Sequence, residues 1–361
     1  MGTEKPAILV TGIAGNLGSR LLPLLADFEV IGVDLNPPET SQNLRFERFD
    51  LGVEESCRQL FLLIKETRPF AVIHLAFIID PLRSGVLDED RMWQINVAGT
   101  ARVMEAITEA NRDEPIVRKF IFPSSVSVYG SDLTSDVTED APFAAHTLPY
   151  AVHKMEADKV VQQRAPALRG CSAYMLRPHI YAGASVENYL LGAFRGSPNG
   201  KSKRAANMRA KGQRLPCMLP YGKRYLENRM QFVHVDDMAR LLAYIVHKNE
   251  PESKRLTVLN VAGRGEALTI GRCVELAKAP LKRVPGKSAF GLVLKFLWKR
   301  GISAIPPDAL PYIIGQYTMN SERLKQFLGD DYEQVIRYTN EDAYSDSFSN
   351  MTPSAQSAAA R

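Results

Sequence analysis

A short apolar run followed at once by a glycine-rich turn limits what this 361-residue chain can become. Ala7-Ile-Leu-Val10 reads as a strand buried on both faces. Thr11-Gly12-Ile-Ala-Gly15-Asn16-Leu17-Gly18 comes next, and Ser19-Arg-Leu-Leu opens a helical pattern. In a strand–turn–helix unit of this kind Gly12 permits the tight turn, Gly15 lets backbone approach a pyrophosphate, and Gly18 allows helix to pack closely on strand. The N-terminus of the helix then offers N–H groups and a positive dipole end to phosphate. A second strand, Val30-Ile-Gly-Val33, ends in Asp34, sixteen residues beyond Gly18. A carboxylate there accepts hydrogen bonds from an adenosine ribose and repels a 2′-phosphate. No arginine follows in Leu35-Asn36-Pro37-Pro38, so the pattern predicts NAD rather than NADP.

The alternation of strand and helix continues. Leu44-Arg-Phe-Glu-Arg-Phe49 is an alternating strand ending in Asp50-Leu51. Asp50 could meet an adenine amino group or cap the helix expected over 53–65. Ala71-Val-Ile-His-Leu-Ala-Phe77 is another buried strand, with His74 expected to be packed or hydrogen-bonded rather than catalytic. A long helix over 88–110 carries Asn96-Val-Ala-Gly-Thr100, and Lys119-Phe-Ile-Phe122 is a fifth strand running into Pro123-Ser124-Ser125-Val126-Ser127-Val128-Tyr129-Gly130. This alternation predicts an α/β fold with a Rossmann-type doubly wound parallel sheet, in which ligands bind beyond the carboxyl ends of the strands.

Tyr150-Ala-Val-His-Lys154 falls on the next helical stretch. Residues four apart on a helix share a face. That spacing allows an ammonium to lower a phenol's pKa from about 10 towards neutrality, where it can exchange a proton with an alcohol or ketone.

Taken together, TGIAGNLG (11–18), Asp34, HLAF (74–77), NVAGT (96–100), SSVSVYG (124–130), YAVHK (150–154), LRPHIYAG (176–183), FVHVDDMA (232–239) and NVAG (260–263) resemble an extended short-chain dehydrogenase/reductase of the NAD-dependent epimerase/dehydratase group. The resemblance covers residues 7 to about 265. It implies that Tyr150 is the general acid/base, that Lys154 lowers its pKa and holds the nicotinamide ribose, and that Ser125 hydrogen-bonds the reacting oxygen, with Ser124 only its neighbour. It implies cofactor contacts from Gly12, Gly15, Asn16, Leu17, Gly18, Asp34, Asp50, Leu51, Leu75, Ala76, Phe77, Asn96, Tyr150, Lys154, Arg177 and Pro178, with Asn96 acting through backbone contacts. Dehydratases of the group resemble Thr-Asp-Glu where this chain has Ser125-Val126-Ser127, so elimination of water is disfavoured. An NAD-dependent epimerase of a sugar, nucleotide-linked, is the first expectation. An NAD(P)-dependent dehydrogenase or reductase of a hydroxy or keto compound, similar to 3β-hydroxysteroid dehydrogenases, is the alternative. A nucleotide-binding scaffold without catalysis is opposed by the intact Ser125, Tyr150 and Lys154. Nucleotide-sugar enzymes of the family carry Asn where Ile180 stands and Arg where Met230 stands, with Arg229 one position off, whereas QFVHVDD resembles the subgroup of UDP-glucose 4-epimerases.

The resemblance divides the chain into an NAD-binding domain (1–176 and 231–262) and a smaller C-terminal substrate-binding lobe (177–230 and 263–340). Residues 341–361 are rich in Ser and Ala and are expected to be a disordered tail. Asp236-Asp237 are expected to cap a helix reaching His247, and Ser321 a late helix. The net charge is +5, yet seven basic residues and no acidic one lie between Arg195 and Arg214, and without them the remainder carries −2. That locality argues against a general nucleic-acid binder, and the segment is read either as a solvated loop or as a diphosphate contact. Residues 285–301 are too short to span a membrane and are expected to pack on the lobe rather than lie at a membrane interface. Four scattered cysteines with no CxxC spacing and no leader pattern fit a reducing cytoplasm. The family suggests a homodimer through helices that include Met92–Glu109 and Tyr150–Arg164.

Overall fold

Seven parallel strands in the order β10-β6-β5-β4-β1-β2-β3 carry the molecule in a computed structural model that describes residues 5–39, 43–79, 88–133, 135–248 and 255–349. They are β1 (Ala7–Thr11), β2 (Glu29–Asp34), β3 (Leu44–Arg48), β4 (Ala71–His74), β5 (Lys119–Pro123), β6 (Ser172–Pro178) and β10 (Leu256–Val261). Every pairing among them is parallel, with Thr11 opposite Val33 on one side of β1 and His74 on the other. The central strands read as continuous apolar runs because helices cover both faces, giving one core on each side of the sheet. Strand order reverses at β1, and in a doubly wound sheet that switch point is where a ligand-binding crevice opens.

On the sheet pack α1 (Asn16–Leu21), α2 (Glu55–Thr67), α3 (Glu89–Trp93), α4 (Gly99–Ala110) and α5 (Pro149–Arg164). Between α3 and α4 the expected continuous helix is interrupted by a π turn over Gln94–Ala98, closed by Gly99 N–H on the Gln94 carbonyl. Such turns recur at functional sites, and this one contains Asn96.

A second core builds the lobe. Its elements are β7 (Ile180–Ala182), α6 (Tyr189–Arg195), α7 (Lys203–Ala210), β8 (Cys217–Pro220), β9 (Phe232–His234), α8 (Val235–His247), α9 (Ile270–Leu276), β11 (Leu281–Val284), α10 (Gly286–Lys299), α11 (Glu322–Leu328) and α12 (Asn340–Asp346), except that α8 and α11 lie against the sheet. β7 pairs with β9, and β8 with β11. Three of the seven cations of the basic segment are tied into this lobe, and Lys201, Lys203, Arg204 and Lys211 are exposed. Arg195 donates to the Val186 and Ser347 carbonyls, Arg209 to Pro198 and Gly200, and Arg214 to Phe194 and Arg195.

Three expectations are corrected. The expected tail is ordered through Ser349: α12 carries a capping box at Thr339 and Asp342, and Tyr344 is fully buried with its hydroxyl on the Cys273 carbonyl. Residues 350–361 lie outside the described residues. His234, not the aspartates, caps α8 by accepting from Asp236 N–H; Asp236 pairs with Arg20, and Asp237 accepts from Arg337 and Tyr338 N–H. Ser321 makes no capping hydrogen bond, and Asn320 accepts from Glu322 N–H instead.

Candidate active site

The turn after β1 cannot be built with a side chain at Gly12. Its φ is +75°, and a Cβ there would lie 2.5 Å from Ala76 N. At Gly18 a Cβ would lie 2.4 Å from the Ile13 carbonyl oxygen, so the glycine sets how closely α1 meets the turn. Gly15 occupies the N-cap of α1 without a side-chain cap, which leaves the first amides of that helix turned towards the strand ends. Beside the turn lies a cleft of about 480 Å³ lined by Gly12, Gly15, Asp34, Asp50, Leu51 and Phe77, with Leu75 and Ala76 behind.

Asp34 is locked before any ligand arrives. Its carboxylate accepts from Ala14, Leu35 and Asn36 N–H at 3.0, 2.7 and 3.3 Å. A carboxylate offers about four acceptor sites, so with three filled about one remains for a ribose hydroxyl. Asp50 accepts from Gly52 N–H at 2.9 Å and pairs with Arg91, and it does not cap α2, whose N-cap is Glu54. With Glu39 also in the lining and no Lys or Arg among the described lining residues, the cleft is acidic.

On the other side of the crevice Lys154 is 5 % exposed. Its Nζ donates to the Pro123 carbonyl at 2.7 Å and lies 3.6 Å from the centre of the Phe77 ring. Tyr150 meets the same Phe77 edge to face at 6.0 Å between ring centres and is hydrogen-bonded to Ser125. Ser125 in turn accepts from Ser127 Oγ at 3.0 Å and from Ser127 N–H at 3.2 Å. Ser124 is turned the other way, donating to Asp158 at 2.7 Å. The structure thus brings Ser125, Tyr150 and Lys154 together around Phe77.

The electrostatics differ from the simple helical-spacing argument. Burial raises the Tyr150 pKa, and the Ser125 hydrogen bond opposes that rise. The Lys154 ammonium is aimed at the Pro123 carbonyl and is itself pushed down to about 7 by burial, with Asp158 one turn away opposing. Between this value and the ordinary 10.5 the unfolded chain binds more protons than the folded one, so the folded state gains stability as pH rises through that window. Lys154→Met should therefore gain stability relative to the parent as pH falls from about 9 to about 6, by on the order of 2 kcal/mol. Thermal melts at the two pH values measure it; a difference independent of pH would show that the ammonium is not desolvated.

Several predicted residues act from behind. The Asn96 side chain bridges the Ile78 amide and carbonyl at 2.6 and 3.0 Å, fixing the loop after β4. His74 links Thr11 and Thr100 at 2.7 and 3.0 Å, and burial lowers its pKa to about 3, so it stays neutral as a packed residue. Asn16 reaches across to Ser185 of the lobe, and Leu17 packs between the lobe core and the sheet core. Arg177 is not placed to touch a cofactor. Its guanidinium is held by both Asp158 oxygens at 2.9 and 3.0 Å, and it donates to the Tyr129 hydroxyl and the Glu139 carbonyl at 2.7 Å. Pro178 is buried at the end of β6 opposite Val261. Two residues escaped the sequence argument. Ser127 holds Ser125, and its place two residues on in a tight turn was the available signal. Tyr181 is a buried phenol near enough to Tyr150 to be raised by its charge, and its hydroxyl has no partner among the described residues.

Residues 8–262 match the profile of the NAD dependent epimerase/dehydratase family. The chain belongs to that family. Curated relatives include a UDP-glucose 4-epimerase from Drosophila melanogaster, 26 % identical over 65 % of this chain and 70 % of its own length. Another from Bacillus subtilis is 31 % identical over 47 % of this chain and 51 % of its own length. Among solved structures, MoeE5 in complex with UDP-glucuronic acid and NAD superposes with a TM-score of 0.62 at 20 % identity, covering 94 % of this chain and 97 % of that one, which establishes the shared fold. As a member of an NAD-dependent family the chain uses NAD, and the residues present fit it: a backbone cradle at Gly12, a carboxylate held at the cleft by Asp34 and no described lining cation for a 2′-phosphate.

Proposed function

We propose that the protein is an NAD-dependent epimerase of a nucleotide-linked sugar. The observation that carries this is the convergence of Ser125, Tyr150 and Lys154 around Phe77 with no carboxylate at Val126 or Ser127. When bound, NAD supplies the hydride acceptor and donor for one carbinol carbon. Tyr150 takes the proton of the sugar hydroxyl and returns it to the other epimer. Ser125, oriented by Ser127, hydrogen-bonds the same oxygen as it becomes a ketone. Lys154 adds positive charge beneath the ring plane of Phe77, where it would meet the nicotinamide ribose. With Val126 and Ser127 where dehydratases of the family carry carboxyl groups, the ketone lacks the acid/base pair that would remove water at the neighbouring carbon, and return of the hydride to its opposite face completes the epimerisation.

A panel of UDP-, GDP- and dTDP-sugars followed by NMR for epimer ratio tests the reading. It fails if all stay inert while a free alcohol or ketone reacts. That outcome would favour the second reading, a dehydrogenase or reductase, which draws support from half-buried Ile180 and fully buried Met230 at positions where nucleotide-sugar enzymes of the family carry polar groups. The acidic cleft makes a separate prediction. Asp34→Asn keeps a side-chain oxygen to accept from the turn but removes the charge, and should cut the preference for NAD over NADP at least ten-fold, worth about 1.4 kcal/mol. Fluorescence titration with each nucleotide reads it.

We further infer a homodimer through α4 and α5 and a reducing compartment. Trp93, 37 % exposed beside α4, and the free thiols of Cys57, Cys171, Cys217 and Cys273 support these two points.

A further inference from the structure

The lobe carries a charge asymmetry larger than the segment 195–214 alone. Residues 188–226 and 276–307 together hold sixteen Lys and Arg and no Asp or Glu. The remaining residues hold twenty-nine Lys and Arg against forty Asp and Glu. The two acid-free segments are neighbours in space: β8 pairs with β11, and Gly200 and Ser202 N–H donate to the Ile302 and Gly301 carbonyls at 3.0 Å. This sets Lys201, Lys203 and Arg204 at the start of α7 beside Lys299 and Arg300 at the end of α10. All five are exposed, and no described acidic side chain pairs with them.

The helix α10 divides into two faces. Phe290 and Leu294 point into the lobe core, as expected of a packed helix. On the other side Leu292 is 70 % and Phe296 50 % exposed, one turn apart, with Lys295 and Lys299 on the same exposed arc. Arg300 lies 5.0 Å from the Phe296 ring centre. Tyr221, exposed and bonded through its N–H to the Val284 carbonyl, adds a phenol near the helix N-terminus. The other large exposed apolar side chains, such as Leu24, Val53 and Leu62, occur without such a cationic frame.

We propose that this face of the lobe docks on an anionic phospholipid bilayer, with α10 lying in the plane of the interface. Leu292 and Phe296 would enter the boundary between headgroups and acyl chains, while the surrounding Lys and Arg would neutralise lipid phosphates. An exposed leucine and phenylalanine on the same helix face as Lys295 and Lys299 favour a bilayer over a nucleic acid, whose backbone offers nothing apolar to receive them. No helix among the described residues is long and apolar enough to cross a membrane, so the association would be peripheral and reversible.

Sedimentation of the full-length protein with phosphatidylcholine vesicles, with and without phosphatidylglycerol, tests this. Wild type should pellet only with the anionic vesicles and be released by salt. Leu292→Gln/Phe296→Gln should lower partitioning at least ten-fold, and Lys295→Gln/Lys299→Gln/Arg300→Gln by about five-fold per charge. Both variants alter exposed positions, and unchanged melting temperature and NAD affinity would confirm that they fold. Equal pelleting with both lipids, pelleting with neither, or binding untouched by the variants would overturn the proposal. Retention on duplex DNA without vesicle binding would reassign the surface to nucleic acid. A dimer abolished by Leu292→Gln/Phe296→Gln without vesicle binding would reassign it to a second copy. Either result also overturns it.

Discussion

Tyr150→Phe should bind NAD with the affinity of the parent and lose turnover by between about 10² and 10⁴, the usual contribution of a positioned general acid/base. That corresponds to about 3–5 kcal/mol of transition-state stabilisation. The substitution deletes one oxygen and leaves the ring that packs edge to face on Phe77, so the fold has little reason to change. Tyr181 offers no rescue. Its hydroxyl is also phenolic, but burial raises its pKa and, unlike Tyr150, it has no described hydrogen-bond partner to oppose the rise. Isothermal titration of NAD beside steady-state turnover separates the two effects, and unchanged turnover would remove Tyr150 from the reaction.

The second large effect concerns stability. Behind the Ser125 turn, Asp158 is fully buried and accepts from Arg177, Ser124 and Gln162, while the same guanidinium reaches Tyr129, whose hydroxyl donates to Asn260. The network ties β5, α5, β6 and β10 together at the strand ends where the site stands. Asp158→Ala leaves the Arg177 charge buried and unpaired, which should cost about 3–5 kcal/mol. Replacing both partners, as in Asp158→Leu/Arg177→Met, should recover much of that loss, because desolvating the pair is itself expensive. Urea melts of the single and double variants measure this. A double variant no more stable than Asp158→Ala would show that the pair is net stabilising over an apolar substitute. Asp158 also supports the charge on Lys154 one turn away, so the single variant should push that ammonium below about 7.

Much of this was readable before any coordinates. The apolar run at Ala7, the glycines and Asp34 depend on local geometry, and Gly12 and Gly18 stand where only a missing Cβ fits. Short alternating segments led to the parallel sheet for the same reason. What the sequence hid was direction. Helical spacing places Tyr150 and Lys154 on one face but does not say that the ammonium turns to the Pro123 carbonyl, or that burial raises the phenol. Nor does LRP at 176–178 say whether Arg177 faces the crevice or an aspartate on α5 that lies nineteen residues earlier. The folded stretch from Thr339 to Ser349 was hidden by its composition. Tyr344 and Phe348 are the large apolar residues buried among many Ser and Asp, and the Thr339–Asp342 capping box was the missed signal.

The central claim is that one carbon is oxidised and reduced again in a single active site with the same nicotinamide. Absorbance of reduced nicotinamide should therefore be followed during turnover of a nucleotide sugar, without added cofactor, while NMR reports the epimer ratio. The account predicts that the ratio moves to equilibrium with no net gain in absorbance. Stoichiometric accumulation of reduced cofactor with a ketone as product would contradict it.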